Sequence, residues 1–229
     1  MISIHRIGLS ISNAFLVKGS TNILIDTGSP GEGKKILKAL QKHGLQLRDI
    51  ALIVHTHGHS DHCGSTAELL QHYKVPTALH AKDLHMAQTG RNGKIYTTTL
   101  VSRMLVPFVD KPYAPFTPDH LLNDLTDLSS FGINANLIHT PGHSKGSVSI
   151  VFDQGDAIIG DLLMGGLLGG TFFPEQPGYH YFIEDRAALH QSIEKVLNTP
   201  ATRYWVGHGG PLDAKRVAKW YALVKKGKR

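Results

Sequence analysis

One cysteine, Cys63, stands in 229 residues, so no disulfide can close within the chain. Stable disulfides belong to oxidising compartments, and their exclusion leans the expectation toward a cytoplasmic protein. Long apolar runs are missing as well. No stretch approaches the roughly 18 consecutive apolar residues of a membrane-spanning helix. The opening MISIHRIGLSISNAFLV has no basic region leading into an unbroken apolar stretch and a small-residue cleavage site. Neither a membrane span nor a signal peptide is therefore expected. Nor is charge of one sign spread over the chain. Twenty-four Lys and Arg against 18 Asp and Glu give +6, but much of the excess falls in the final VKKGKR. That run reads as a solvated end, and with no basic stripe elsewhere no specific nucleic-acid partner is indicated.

The chain is rich instead in histidine, with 15 residues of the side chain most often recruited as a neutral metal ligand or a proton carrier near neutral pH. Its length suffices for a substantial core, and a single domain over 1–229 is expected. NAFLV (13–17) and NILIDTG (22–28) read as strands parted by a KGST turn. EGKKILKALQKHG places Ile36, Leu37 and Leu40 at helical spacing, with Gly44 as a stop. IALIV (50–54) is a continuous apolar strand of the kind buried on both faces. STAELLQHY predicts a helix capped by Ser65, and VPTALHA a strand. Residues 83–125 hold no sustained period and read as a mixed connection, either a surface excursion or a wall of a substrate pocket. Strand-like runs return at 134–140, 146–152 and 156–161. A glycine-rich MGGLLGG and the aromatic TFFPEQPGYHYF follow, then a helix over 186–197, a strand at 203–207 and a closing basic helix from about Asp213. Strands thus come in two batches, each with helices, which predicts two sheet-plus-helix halves sharing one core.

HTHGHSDHCG (55–64) packs four histidines and an aspartate into eight residues at the end of the buried strand. The spacing of His57, His59, Asp61 and His62 suits neither a strand face nor a helix face, whereas a tight loop at Gly58 can wrap such groups around a small volume. Imidazole nitrogens and carboxylate oxygens suit a borderline divalent ion. Alone, the loop could still be solvated. The second batch of strands supplies partners: His143 in TPGHSKG, Asp161 after AIIG and His208 after YWVG each fall where a strand stops. Singly each reads as a turn or loop cap. A metal ion would supply the charge compensation that a buried carboxylate needs.

THGHSDHCG resembles the H-x-H-x-D-H signature of the metallo-beta-lactamase fold hydrolases, and HTPGHSKGS, IIGD and VGHGG look like the later ligand segments of that superfamily, in the same order. The resemblance runs from NAFLV to His208. It implies a four-layer αββα sandwich with a dinuclear site at one edge of two sheets, in which His57, His59 and His143 hold one ion, Asp61, His62 and His208 the other, and Asp161 bridges them. It also implies that Asp26 of LIDTG accepts a hydrogen bond from a ligating histidine; read from the residues alone, Asp26 makes an Asx turn into Thr27 and Gly28. His55 and Cys63 match no ligand position and read as packing or outer-shell residues. Zinc is the first expectation for the pair of divalent ions, with iron or manganese as alternatives.

Two such ions sharing a water make hydroxide available near neutral pH, so metal-dependent hydrolysis is the expected reaction, with Asp61 placed to orient the nucleophile or move its proton. Asp161 weighs against a true beta-lactamase, which the resemblance would give Cys or Ser there, and His59 weighs against the flavodiiron branch. What is left is the glyoxalase II-like and lactonase-like branch. Only about twenty residues follow His208, too few for the helical region of the glutathione-thioester hydrolases, and Met164 stands where a lactonase tyrosine is expected. The expected substrate is a small ester, thioester or lactone, the alternatives being a phosphodiester or a non-catalytic metal-binding module. Phe172, Phe173, Tyr179 and Tyr181 are candidates for the substrate pocket, or else for a core or homodimer contact.

Overall fold

Apolar residues along the early strands alternate between two buried environments, the condition for a sheet covered on both faces. In the computed structural model, which describes residues 2–228, the first sheet runs in the order β1 (Ser3–Gly8), β2 (Asn13–Lys18), β3 (Asn22–Ile25), β4 (Ile50–Val54), β5 (Thr77–His80) and β6 (His120–Leu122). Phe15 and Val17 of β2, Ile23 and Ile25 of β3, and Leu52 and Val54 of β4 turn inward. Ala14, Leu16, Leu24 and Ile53 turn the other way, onto Ile36 and Leu40 of α1 (Gly33–Lys42) and Leu69 of α3 (Thr66–His72). Between these two helices lies the single turn α2 (Ser60–Cys63).

The second sheet repeats the plan. Its spatial order is β14 (Leu212–Asp213), β13 (Arg203–Trp205), β10 (Asp156–Ile158), β9 (Val148–Phe152), β8 (Ala135–His139) and β7 (Leu125–Asp127). Leu137, Val148, Ile150, Phe152 and Ile158 meet the inner face of the first sheet. On the outer side Val151, Ala157 and Tyr204 meet Leu189, Ile193 and Val196 of α6 (Arg186–Leu197) and Val217 and Trp220 of α7 (Ala214–Lys225). Helix, sheet, sheet, helix is the αββα sandwich. β3 to β6 pair in parallel, as do β10 and β13, so several strands deliver their C-terminal loops to one edge. Ligand sites form outside such ends.

Several elements depart from expectation. β1 went unanticipated because SIHRIG is an edge strand that buries only Ile7 fully, leaving little apolar alternation to read. The 83–125 connection holds α4 (Leu84–Thr89), α5 (Leu100–Val109) and β6. α5 starts at a capping box in which Thr99 and Ser102 satisfy each other's backbone N–H, yet it exposes Leu100, Val101, Met104 and Phe108, so its apolar residues mark no core-facing stripe. MGGLLGG and TFFPEQPG form a two-stranded ribbon, β11 (Met164–Leu167) with β12 (Phe172–Gly178). Ser65 precedes α3 without capping it; its hydroxyl donates to the Ser29 carbonyl and accepts from the Glu32 N–H. No helix among the described residues is long and apolar enough to cross a membrane.

Phe15 is fully buried between the sheets, its ring edge-on to Trp205 at 6.0 Å. Phe15→Ala should cost about 3–5 kcal/mol of stability through lost transfer energy and the cavity left behind. Urea unfolding at fixed metal saturation measures it, and a loss below about 1 kcal/mol would mean that the inter-sheet core closes around the void.

Candidate metal centre

A strained residue follows β3 directly. Asp26 takes a φ of 60°, a left-handed conformation uncommon outside glycine. That turn points its buried carboxylate into the loop after β4, where Oδ1 accepts from the Thr56 N–H at 2.8 Å and Oδ2 accepts from the Thr56 hydroxyl and from His62 Nδ1–H, each at 2.8 Å. The His62 carbonyl in turn receives both the backbone N–H and the hydroxyl of Thr27. α2 therefore sits in a fixed place, with Asp61 and His62 on its single turn.

A second buried carboxylate joins this loop to the opposite sheet. Asp83 accepts from the Gly58 N–H at 3.0 Å and also from the Ser144 hydroxyl (2.6 Å) and the Gly146 N–H (2.7 Å), which follow His143 in the β8–β9 loop. Burial raises its pKa, and these three donors oppose the rise. No sequence signal marked Asp83; its role appears only once both loops are seen to meet it.

At this edge the seven residues singled out from the sequence come together. One nitrogen each of His57, His59 and His143 lie within 4.8 Å of one another, as do the donor atoms of Asp61, His62 and His208. Between the groups stands Asp161, whose Oδ2 lies 3.8 Å from His57 Nε2, 3.4 Å from His62 Nε2, 3.5 Å from His143 Nε2 and 3.2 Å from His208 Nε2. Asp61 Oδ2 is 3.3 Å from His208 Nε2. A fifth imidazole, absent from the sequence reading, completes the ring: His180 Nε2 is 3.3 Å from the same Asp161 oxygen. It lies in an aromatic run, PGYHYF, far from any histidine motif, and only the chain's return from the ribbon brings it here.

The donors fit a pair of cations. Four rings have Nδ1 occupied within the protein: His57 by the Thr56 hydroxyl (3.1 Å), His62 by Asp26, His143 by the Phe182 carbonyl (2.7 Å) and His208 by the Ile11 carbonyl (2.6 Å). Nδ1–H spent in this way leaves a bare Nε2 facing inward, the arrangement that fixes the tautomer of a metal ligand. Consistent with this, His57 Nε2, His62 Nε2, His208 Nε2 and Asp161 Oδ1 are buried without a hydrogen-bond partner, a costly state unless an ion takes them up. His59 Nδ1 faces His143 Nε2 at 2.9 Å, and two such lone pairs approach so closely only when a proton or a cation lies between them.

Electrostatics divides the cluster. Burial lowers His57 well below the ordinary imidazole value and takes His59 to about 4 and His143 to about 3, so this half presents neutral rings. Burial pulls His62 and His208 down too, but the surrounding Asp161, Asp26 and Asp61 outweigh it for His62, and Asp161 and Asp61 carry His208 up to about 10. A cation in this half takes the place of protons that the carboxylates otherwise hold on the rings. Burial opposes the charge of Asp161, yet His208 and His62 keep its pKa far below the usual range.

His55 and Cys63 lie outside this ring. His55 is buried with Nε2 on the Thr66 hydroxyl at 3.2 Å, and Cys63 Sγ donates to the His57 carbonyl. The four aromatic candidates separate. Tyr181 lines a groove of about 480 Å³ together with Leu105, Phe108, Leu168 and His208. Phe172 and Phe173 stand exposed on the ribbon, because a two-stranded ribbon has no second layer to cover them. Tyr179 packs against Trp220 at 5.1 Å and bonds His190 through its hydroxyl, so it serves the α6–α7 layer.

Gly207 has no room for a side chain: an added Cβ would lie 2.0 Å from Asp161 Oδ1 and 2.7 Å from His62 Cε1. Gly207→Ala should weaken metal binding at least 10-fold, as about 10- to 100-fold is usual when a ligand's support is disturbed. Asp26→Asn should fall in the same range. Competition with a chromophoric chelator reads both variants, and unchanged affinity in either would detach that residue from the centre.

The family description "Metallo-beta-lactamase superfamily" matches residues 7–208. A "probable metallo-hydrolase" of Methanocaldococcus jannaschii is 30% identical over 217 residues, covering 93% of this chain and 94% of its own. The crystal structure of TTHA1623 in a di-iron-bound form superposes with a TM-score of 0.68 at 30% identity, over 95% of this chain and 97% of that one. The hydroxyacylglutathione hydrolase GloC of Haemophilus influenzae is 29% identical over 154 residues, which is 66% of this chain and 65% of GloC. With two His/Asp clusters meeting at one carboxylate and the family match spanning every strand that bears them, the chain belongs to the metallo-beta-lactamase superfamily and is a dinuclear metal-dependent hydrolase.

Proposed function

We propose that the protein hydrolyses a small ester, thioester or lactone in the manner of the glyoxalase II-like and lactonase-like branch. His57, His59 and His143 hold one ion, Asp61, His62 and His208 the other, and Asp161 is shared. The sharing of Asp161 Oδ2 among imidazoles of both clusters carries this reading. Zinc suits the mixed nitrogen and oxygen donors; the di-iron form of TTHA1623 supports iron as the alternative. Bound there, the ions lower the pKa of water and polarise the substrate carbonyl.

The chain's own residues do the rest. Asp61 is the one carboxylate of the centre with partial exposure, its side chain 14% accessible against 2% for Asp161, so it can meet a substrate or its water. Burial and the like charge of Asp161 push the Asp61 pKa up, but His62 and His208 outweigh both and hold it low, which suits orienting a nucleophile more than storing its proton. The groove beside His208 offers the aliphatic and aromatic walls of Leu105, Phe108 and Leu168, suited to an acyl chain. The GloC relative supports a thioester. A phosphodiester is the second reading, supported by Lys94 at the mouth of the donor cleft and Arg6 in the groove.

Protein reloaded with zinc or iron should hold two equivalents by elemental analysis and turn over thioester or lactone faster than phosphodiester in a side-by-side assay. Full activity with one equivalent would overturn the paired assignment, and faster phosphodiester turnover would favour the second reading. Asp161→Ala should lower turnover by at least about 100-fold while the fold persists. Phe108→Ala should shift preference between short and long acyl chains at unchanged metal content; an identical chain-length profile would move specificity away from the groove.

A further inference from the structure

His180 stands in the centre outside the two ligand sets assigned above, although its donor nitrogen also lies within 4.8 Å of those of His143 and Asp161, and its surroundings give it chemistry opposite to its neighbour's. The backbone of one residue, Phe182, addresses both rings. Its carbonyl accepts from His143 Nδ1–H at 2.7 Å, which leaves His143 Nε2 bare. Its N–H donates to His180 Nδ1 at 3.2 Å, which places the ring proton of His180 on Nε2. The reverse tautomer would aim Nδ1–H at the Phe182 carbonyl from 3.3 Å, but His143 already holds that oxygen at the shorter distance, and the buried Phe182 N–H would then face another donor.

Asp161 Oδ2 lies 3.3 Å from His180 Nε2. His180 Nε2 makes no hydrogen bond among the described residues, and the ring lines the small cleft over His59, Asp61, His143 and Asp161. Its position is braced: Thr97 bridges Phe182, the Thr98 N–H donates to the Tyr181 carbonyl and the Ile183 N–H to the Tyr96 carbonyl. We propose that His180 is a catalytic hydrogen-bond donor and not an eighth ligand, its Nε2–H binding the substrate's carbonyl oxygen as that oxygen gains negative charge. This rests on the hydrolytic reading above. A donor fixed in advance and facing the site of developing charge works because it needs no reorganisation when the carbon becomes tetrahedral.

Cadmium-loaded protein carrying isotope-labelled histidine tests the tautomer by nuclear magnetic resonance, without reference to activity. His180 should show a protonated Nε2 with no coupling to cadmium, whereas His57, His62, His143 and His208 show coupling at Nε2. Coupling at His180 would make it a ligand and overturn the proposal. Failure of the parent protein to take up two cadmium ions would instead overturn the dinuclear assignment. In the zinc enzyme, His180→Phe should retain two ions and lose about 100-fold in kcat with little change in KM, the scale of one lost oxyanion donor. His180→Gln, which restores an N–H donor, should recover part of that loss. Loss of an ion in His180→Phe, or a kcat within about threefold of the parent, would also overturn it.

Discussion

One carboxylate oxygen, Asp161 Oδ2, with five imidazole nitrogens between 3.2 and 3.8 Å from it, is the constraint around which the molecule is organised. Isolated polar groups buried this closely are costly, and several lack any protein partner. Cations relieve that cost, but only if the chain holds the donors in place before they arrive. The surroundings do this by spending Nδ1 of each candidate ligand ring but one on a fixed acceptor, and His59, the exception, turns Nδ1 inward. Orientation of the rings, more than their number, separates this cluster from a patch of surface histidines.

The sandwich supplies the fixed acceptors because its two sheets are stitched together at the edge where the loops emerge. The Asn13 N–H of β2 donates to the Gly207 carbonyl, and its side-chain amide donates to the Val206 and Gly209 carbonyls across the sheet interface. The Val148 N–H of β9 reaches back to the Thr56 carbonyl. Together with Asp83, these bonds tie the loops after β4, β8 and β13 to one another, so the half-sites cannot drift apart without breaking buried hydrogen bonds. A loss of the inter-sheet core around Phe15 would reach the centre by this route.

Much of this was legible in the sequence, and the boundary of what was legible has a physical cause. Seven donors could be named because each follows an apolar strand and the strands carry a period-2 or continuous pattern that a packed sheet demands. Asp26 could be named through the family resemblance. Asp83 and His180 could not, since neither sits at a strand end in a recurring motif: Asp83 lies just before the short α4, and His180 in a coil after the ribbon. Their roles come from tertiary approach alone. β1 and α5 were missed for the converse reason, one too exposed to show alternation and the other carrying its apolar residues on the solvent side. Among the aromatics the composition of the loop gave no direction, and only the path of the ribbon separates Tyr181 from Phe172, Phe173 and Tyr179.

Histidine serves three chemistries in and beside this cluster, and backbone geometry sorts them. Where a ring meets a carbonyl or carboxylate at Nδ1, as His143 and His62 do, its inward nitrogen is a lone pair; where it meets an N–H, as His180 does, the inward nitrogen is a proton. His55, fully buried two residues before His57 and kept neutral by burial near a pKa of about 4, faces Thr66 and Phe116 and serves packing. The same side chain therefore becomes ligand, donor or filler according to which main-chain or acidic group the fold sets against its far nitrogen. A count of histidines sees the cluster, whereas the assignment of roles depends on Asp26, Thr56, Ile11 and Phe182, none of which needs to touch a metal.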